Sequence, residues 1–255
     1  MIEKLNTIKW FVLNPKYLPQ SWQIFKRKIY WKGDRYGEKE AIVWCQENAC
    51  EEDAVLQKII GQMPKKTIEK TYTEDFDAAR SVEAKVPVKM GGAAGLNLLY
   101  HIVRVFKPEY PIETGVAYGW SSLAILLAMH EYGAGDLYSV DMPYVKMGNE
   151  DFVGLVVPKR LRNKWRLIRL ADRQGIVQVI SQTPHLDFVH YDSDKSYLGR
   201  KWAYQKLWKH LKRGGVFISD DIQDNIAFKE FSEQIGYKPH IVEVAGKYVG
   251  LVVKK

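Results

Sequence analysis

Residues 111–122 read PIETGVAYGWSS, and this stretch decides how the rest of the chain is interpreted. An apolar strand runs into Glu113, and Gly115 and Gly119 then frame a turn before a helix-forming run at residues 120–130. A strand, a glycine turn and a helix N-terminus together present backbone N–H groups and a positive dipole end to a ligand. The stretch therefore predicts a βα turn that either binds a ligand or simply connects two elements of an α/β protein.

The kind of ligand is indicated by what the turn lacks. No lysine follows Gly119, which excludes a phosphate-binding P-loop, and Ala117 stands where the dinucleotide fingerprint G-x-G-x-x-G requires its second glycine. The carboxylate of Glu113 would repel a pyrophosphate group, whereas it suits a ligand with an amine or with free nucleoside hydroxyls. These features favour S-adenosylmethionine as the cofactor.

The composition sets the broad class of the protein. With 255 residues, 46% of them hydrophobic, the chain can build one sizeable α/β domain and an appendage. It shows no apolar run of membrane-spanning length and no signal-peptide pattern, and its two cysteines, Cys45 and Cys50, exclude a disulfide framework and a cysteine-rich zinc site. We therefore expect a cytoplasmic protein.

The net charge of +8 is compatible with binding to nucleic acid, to an anionic membrane or to an acidic substrate. The basic residues are spread along the chain, however, and this favours a solvated basic surface.

Residues 1–85 differ from the rest of the chain in their mixture of aromatic and basic side chains. Short helices are predicted at about 20–30 and 51–61. Such a segment can pack on the main domain as a flap, which we favour, or can recognise the acceptor or a membrane surface. The aromatic residues are Trp10, Phe11, Tyr17, Trp22, Phe25, Tyr30, Trp31, Tyr36 and Trp44, and the basic residues among them are Lys26, Arg27, Lys28, Lys32 and Arg35.

From about residue 86 the chain alternates between strand and helix patterns, which predicts a parallel sheet with crossover helices. The linker between the last two strands is too short for a crossover, so these strands must form an antiparallel hairpin. The prediction is a Rossmann-like, doubly wound α/β sheet of seven strands in a domain at 86–255, preceded by a mainly helical appendage at 1–85. The predicted strands are 110–115, 136–141, 165–170, 186–191, 215–219, 239–245 and 247–253.

Acidic residues follow all five of the parallel strands. In an open α/β sheet these strand ends meet at the edge where ligands bind, and a cluster of carboxylates at this edge requires a cation. Asp141 is suited to hold ribose hydroxyls. The oxygen ligands of the later acids favour Mg²⁺ or Ca²⁺, and a divalent ion would lower the pKa of Lys195 toward that of a general base. The acids are Glu113, Asp141, Asp172, Asp192, Asp194, Asp220 and Asp221.

Four segments in this order resemble the motifs of class I S-adenosylmethionine-dependent methyltransferases. More narrowly, they are similar to the metal-dependent O-methyltransferases typified by catechol and caffeoyl-CoA O-methyltransferases. The third segment also resembles the D-x-D-H-x-Y pattern of bacterial enzymes that methylate sugars and natural products. The resemblance covers about 86–255. The segments are ETGVAYGWS at 113–121, the strand ending at Asp141, LDFVHYDSDKSY at 186–197 and GGVFISDD at 214–221.

The resemblance implies roles for individual residues. The metal would be held by Asp192, Asp220 and Asp221, and the general base would be Lys195, where the sugar-type pattern has histidine; Asp192 would take part in catalysis as well. The turn at 90–95 would cover the cofactor from the upstream side. The residues implied to contact the cofactor are Met90, Gly91, Glu113, Gly115, Gly119, Ser121, Asp141, Met142, Asp172 and Asp192.

The expected activity is transfer of a methyl group to a hydroxyl of a small-molecule or sugar acceptor, assisted by a divalent metal. A nucleic-acid methyltransferase is a disfavoured alternative, since no Asn-Pro-Pro-Tyr-type motif follows the fourth strand. An NAD-dependent dehydrogenase would need the missing glycine. A non-catalytic binding protein has no use for mutually repelling acids. The acceptor, contact with a membrane surface and a homodimeric state are left open.

Overall fold

The computed structural model describes residues 2–29, 33–61, 64–92 and 94–255, and it describes side chains from residue 6 onward except that of Lys28. Three members of the aromatic and basic segment, Tyr30, Trp31 and Lys32, lie outside the described residues, as does Ala93 in the predicted turn at 90–95.

One mixed sheet of eight strands organises the described part of the chain. Its spatial order is β1-β7-β8-β6-β5-β2-β3-β4. All neighbours are parallel except β8, which is antiparallel to both β6 and β7. The strands are β1 (Ala49–Cys50), β2 (Pro111–Thr114), β3 (Leu137–Val140), β4 (Trp165–Ile168), β5 (Leu186–Tyr191), β6 (Leu211–Ser219), β7 (His240–Val244) and β8 (Lys247–Val253).

The predicted fold class is confirmed, and the strand count differs by one. The seven predicted strands are β2 to β8, and β7 and β8 form the predicted antiparallel hairpin around a turn in which Ala245 and Gly246 have φ of +50° and +77°. The additional strand, β1, comes from the N-terminal segment and pairs in parallel with Ile241 and Val242 at the edge of the sheet. Two residues are too short for any alternation of side chains to show in a sequence.

Helices cover both faces of the sheet and form two separate cores. In one core, helices α4, α5, α6, α7 and α8 pack on one face of the sheet. In the other core, helices α3, α9, α10 and α11 pack on the opposite face. The helices are α1 (Ile2–Leu13), α2 (Leu18–Ile29), α3 (Glu38–Asn48), α4 (Glu52–Ile60), α5 (Ile68–Thr71), α6 (Thr73–Glu83), α7 (Leu96–Phe106), α8 (Trp120–Tyr132), α9 (Asp172–Gln182), α10 (Tyr197–His210) and α11 (Ala227–Ile235).

The N-terminal segment is helical, as expected, and α2 and α4 lie close to the two predicted positions. Val55, Leu56 and Phe76 from this segment are buried in the same core as α7 and α8. The division into an appendage at 1–85 and a domain at 86–255 stays a prediction. None of the described helices has the length and apolar character needed to cross a membrane.

Candidate functional site

The carboxyl ends of the central strands form one continuous rim. The backbone N–H of Asp192 donates to the carbonyl of Thr114 (2.9 Å), that of Asp141 to Ile168 (3.0 Å), and that of Asp220 to Tyr191 (3.0 Å). The backbone hydrogen bonds between neighbouring strands therefore continue one residue past the strand ends. They hold these three acids at the same height above the sheet. The rim surrounds the boundary between β2 and β5, where the strand order reverses and where α/β sheets bind ligands.

A cavity of about 430 Å³ opens above this rim. Its volume lies within the range of ordinary small-molecule sites. Residues that were not predicted also line it, among them Gln20 on α2, Tyr144 after β3, and Lys247 at the start of β8. The predicted site residues that line it are Gly91, Gly115, Ser121, Asp141, Met142, Asp172, Asp192, Lys195, Asp220 and Asp221.

The glycine turn has the conformation that its sequence predicts. Gly115 has φ of +79°, and a Cβ atom there would lie 2.4 Å from the carbonyl oxygen of Asp192. Gly119 has φ of +99° and caps the N-terminus of α8. Ala117, which replaces a fingerprint glycine, also adopts a left-handed φ, of +47°. The turn thus bends like a glycine-rich loop, and most L-residues avoid this conformation at all three positions.

Glu113 lies beneath the turn and does not line the cavity. Its side chain is fully buried, and Oε2 accepts hydrogen bonds from Ser139 Oγ (2.7 Å) and from Ser122 on α8. Met90 and Gly119 also do not line the cavity; the backbone N–H of Met90 donates to the hydroxyl of Tyr118 (3.0 Å). These three predicted residues therefore lie outside the lining of the cavity and help to hold its shape.

A buried histidine connects Glu113 to the rim. Nδ1 of His190 lies 3.7 Å from Glu113 Oε1, and its Nε2 lies 3.5 Å from Asp220 Oδ1. Burial alone would lower the pKa of His190, but Asp220 and Glu113 outweigh burial and raise it to about 10. The imidazolium thus neutralises two acids that would otherwise repel each other. Sequence reasoning missed it because a histidine inside an apolar strand looks like an ordinary core residue.

Asp141 is positioned at the end of β3 with one oxygen on the glycine turn. Its Oδ1 accepts from the Val116 N–H (3.0 Å), and its Oδ2 lies 3.3 Å from Arg169 NH1. Burial raises the pKa of this carboxyl to about 6, although both partners favour the charged form. At neutral pH Asp141 is therefore ionised and able to accept hydrogen bonds from the hydroxyls of a ligand.

Asp172 is the second partly buried carboxylate of the cavity. Its Oδ2 accepts hydrogen bonds from the hydroxyls of Ser193 (2.6 Å) and Tyr191 (3.1 Å). Burial and the nearby charge of Asp194 raise the pKa of Asp172 to about 6. These hydroxyls join the start of α9 to the end of β5 and to the loop that follows it, so that Asp172 holds one wall of the cavity as well as lining it.

Lysine side chains occupy the carboxylate cluster at the other end of the cavity. Lys195 Nζ contacts Asp192 and lies 2.8 Å from Asp221 Oδ2, and Lys247 Nζ lies 3.0 Å from Asp221 Oδ1. Burial alone would lower the pKa of Lys195, but the two carboxylates raise it above its ordinary value. This direction is opposite to the one expected for a general base, so the role of Lys195 stays a prediction.

The two carboxylates that contact Lys195 have opposite pKa shifts. Burial and the charge of Asp220 raise the pKa of Asp192 to about 6 despite its contact with Lys195. Burial also acts to raise the pKa of Asp221, but Lys195 and Lys247 lower it to about 2. Asp192 is therefore the stronger proton acceptor of this cluster at neutral pH.

The donor set at the predicted metal site is engaged by cationic side chains. Asp192 and Asp221 share Lys195, and Asp220 faces the imidazolium of His190. In the part of the chain that the structure describes, no group of three His, Cys, Asp or Glu side chains is arranged to hold a metal ion. As arranged, these residues do not fit a divalent cation, and the Mg²⁺ or Ca²⁺ site stays a prediction.

Arg200 on α10 anchors the loop that carries Asp220 and Asp221. Its side chain is fully buried and donates to the backbone carbonyls of Asp221 (2.8 Å) and Asp220 (3.3 Å). Its NH2 also lies 3.7 Å from the carboxylate of Asp224. Asp221 has φ of +53°, so the chain turns sharply after β6 while Arg200 holds it from below. No sequence motif pointed to this residue.

Comparison with known proteins agrees with the geometry. Residues 112–222 match a family model described as a methyltransferase domain. A protein from Arabidopsis thaliana named as a caffeoyl-CoA O-methyltransferase is 26% identical over 140 residues, which cover 54% of this chain. The chain matches about half (55%) of the length of that relative.

Solved structures show the same fold at low sequence identity. A structure from Klebsiella pneumoniae assigned as an O-methyltransferase has a TM-score of 0.55 and 13% identity, covering 83% of this chain and 100% of its own. A methyltransferase from Podospora anserina with bound S-adenosylhomocysteine (SAH) has a TM-score of 0.53 and 12% identity, covering 85% of this chain and 94% of its own. Residues 112–222 are therefore similar to a methyltransferase domain, and the chain shares its fold with these solved methyltransferase structures.

Proposed function

We propose that this protein is an S-adenosylmethionine-dependent O-methyltransferase that acts on a hydroxyl group of a small-molecule or sugar acceptor. The observation that carries the proposal is the partly buried carboxylate of Asp141, which accepts from the Val116 N–H beside the left-handed turn at Gly115. This pair offers a carboxylate for two ribose hydroxyls and a wall without a side chain for the rest of the cofactor. The named activity of the Arabidopsis relative and the SAH bound in the Podospora structure support the same assignment.

The cofactor would lie along the glycine turn. In this proposal Asp141 and Met142 hold ribose and adenine, Asp172 lies near the adenine amino group, and Gly115 and Ser121 border the methionine portion. The segment at 90–92 approaches the turn from the other side, since a Cβ atom on Gly91 would lie 3.7 Å from the Cβ of Ala117. Such enclosure excludes water and aligns sulfur, methyl group and acceptor oxygen for in-line transfer.

The acceptor hydroxyl would approach the cluster of Asp192, Lys195 and Lys247. Asp192 would remove the hydroxyl proton as the methyl group is transferred. Lys195 remains protonated and would orient Asp192 and stabilise the developing negative charge on oxygen. Metal assistance at Asp192, Asp220 and Asp221 is not part of this transfer, because Lys195 and His190 already engage these carboxylates.

The first experiment is a calorimetric titration of SAH into the protein, with Mg²⁺ and with EDTA. We expect SAH to bind in both conditions, with a Kd on the order of micromolar, about −8 kcal/mol, because Asp141 and Asp172 make their hydrogen bonds without Lys195. Absence of binding in both conditions would overturn the methyltransferase proposal and favour a dehydrogenase or a binding protein. Binding only with Mg²⁺ would restore the metal site.

We expect the affinity for SAH to fall as the pH is lowered from about 7.5 to about 5. Burial raises the pKa of both Asp141 and Asp172 to about 6. Above this value the carboxylates are ionised and accept hydrogen bonds; below it, each proton that must be lost on binding costs up to about tenfold in affinity per pH unit. Calorimetry across this range measures the slope. The Asp141→Asn variant should show a shallower slope, and a flat profile in the wild type would contradict the prediction.

Replacing Asp192 with asparagine should lower kcat on the order of 100-fold, the usual contribution of a general base, and should leave SAH affinity nearly unchanged. The rate of methyl transfer from labelled S-adenosylmethionine, measured with catechol-type acceptors, checks it. Lys195→Met is the discriminating variant. If Lys195 were the base, its loss would equal or exceed that of Asp192→Asn; with Asp192 as the base, the Lys195→Met loss is smaller.

A further inference from the structure

Helix α2 exposes an apolar stripe to solvent. Leu18, Trp22, Phe25 and Ile29 are 46%, 55%, 53% and 68% exposed. Their spacing of four, three and four residues places them on one face of the helix. The end of α1 adds further exposed apolar residues, namely Ile8, Val12 and Leu13, which are 61%, 66% and 69% exposed. An apolar surface of this extent, built from one continuous segment, indicates an interaction site.

The opposite, polar face of α2 lies against the cavity. Gln20 lines the cavity, and Arg27, two helical turns later, forms an ion pair with Asp194, which also lines it. The amphipathic helix is therefore oriented with its polar side inward and its apolar side outward, the reverse of a helix that packs on a hydrophobic core. The polar side of α2 contacts the cavity, whereas its apolar side is exposed to solvent and can bind a partner.

The charge of this segment identifies the kind of partner. Residues 1–36 contain eight Lys or Arg and two acids, so they carry +6 of the net charge of +8. Lys26 Nζ lies 5.4 Å from the centre of the Trp22 ring, and Trp22 stacks on Phe25 with ring centres 5.6 Å apart. Aromatic and aliphatic side chains flanked by lysines are typical of helices that lie in the interface of an anionic membrane.

We propose that α1 and α2 dock on an anionic lipid surface. The stripe of Leu18, Trp22, Phe25 and Ile29 enters the boundary between headgroups and acyl chains, and Lys16 and Lys26 contact lipid phosphates. A second copy of this chain is the less suitable occupant. A two-fold interface would bring the same face of both copies together and place two strongly basic segments against each other.

Co-sedimentation with lipid vesicles tests this docking independently of the methyltransferase activity. The protein should sediment with vesicles of phosphatidylcholine mixed with phosphatidylglycerol, bind weakly to phosphatidylcholine alone, and be released by high salt. The double variant Trp22→Ser/Phe25→Ser should bind anionic vesicles at least about tenfold more weakly. The variant Lys16→Gln/Lys26→Gln should lose about fivefold for each lysine removed.

A matched control uses exposed apolar residues far from this stripe in the sequence. Val105→Ser/Val177→Ser alters side chains that are 39% and 44% exposed, on α7 just before its end and on α9, and should bind vesicles like the wild type. Circular dichroism checks that all three double variants are folded. Equal binding by the Trp22→Ser/Phe25→Ser variant, or no binding of the wild type to anionic vesicles, would overturn the proposal. A wild-type dimer in sedimentation velocity that this variant dissociates would assign the face to a second copy.

Discussion

Replacing Asp141 with alanine is expected to weaken SAH binding by about 10²–10⁴-fold, which removes measurable binding from a calorimetric titration. The proposed ribose contacts are two hydrogen bonds to a charged acceptor, each of which contributes about 1.5–3 kcal/mol. The substitution also leaves the N–H of Val116 and the guanidinium of Arg169 without their carboxylate partner. Both the direct contact and the shape of the glycine turn are therefore lost.

The control for this variant lies at the opposite end of the same strand. Asp136, just before β3, is 3.4 Å from Arg166 and is part of an exposed ion pair away from the cavity. Asp136→Ala removes the same type of side chain and should leave SAH affinity unchanged. Asp141→Asn, which keeps an acceptor for Val116, should fall between the wild type and Asp141→Ala. Wild-type affinity in Asp141→Ala would show that the cavity holds its ligand in another way.

Replacing Arg200 with methionine is expected to lower the free energy of unfolding by about 3–5 kcal/mol. The guanidinium is fully buried and bridges two backbone carbonyls and the Asp224 carboxylate. Methionine fills much of the volume of the buried guanidinium but leaves these acceptors without their donor. Urea denaturation followed by circular dichroism measures the change.

Arg166→Met is the matched control for this stability measurement. The side chain of Arg166 is 53% exposed, so its removal should change the free energy of unfolding by no more than about 0.5 kcal/mol. Arg200→Lys should be intermediate, because one ammonium group cannot span both carbonyls as the planar guanidinium does. If Arg200→Met lowers the free energy of unfolding no more than the control variant does, the loop after β6 is held by its other contacts.

The fold and the position of the site could be predicted because they depend on local patterns. Strand–helix alternation and the short link at Ala245 and Gly246 required a mostly parallel sheet that ends in a hairpin, and this is the fold observed. Acids placed directly after strands had to meet at one edge, and Asp141, Asp192 and Asp220 do line one cavity.

What the sequence did not reveal depends on contacts between distant segments. Lys247 reaches the cavity because β8 runs antiparallel to β6, which brings the start of β8 beside the acids that end β6. The position of Lys247 could have been inferred from the sequence, because the antiparallel hairpin was predicted. The positions of His190 and Arg200 had no such signal, since their charge is balanced by acids and carbonyls whose proximity only the folded chain creates.

The pairing of β1 with β7 has a consequence for how the chain reaches its native state. Ala49 and Ile241, which are partners in the ladder, are separated by about 190 residues. A ribosome releases the N-terminal segment long before its partner strand exists, and contacts of such high sequence separation form late and slowly. The edge strand β1 therefore finds its partner only after about 190 further residues have been synthesised. Truncation of the C-terminal hairpin should leave residues 49–50 without a partner strand.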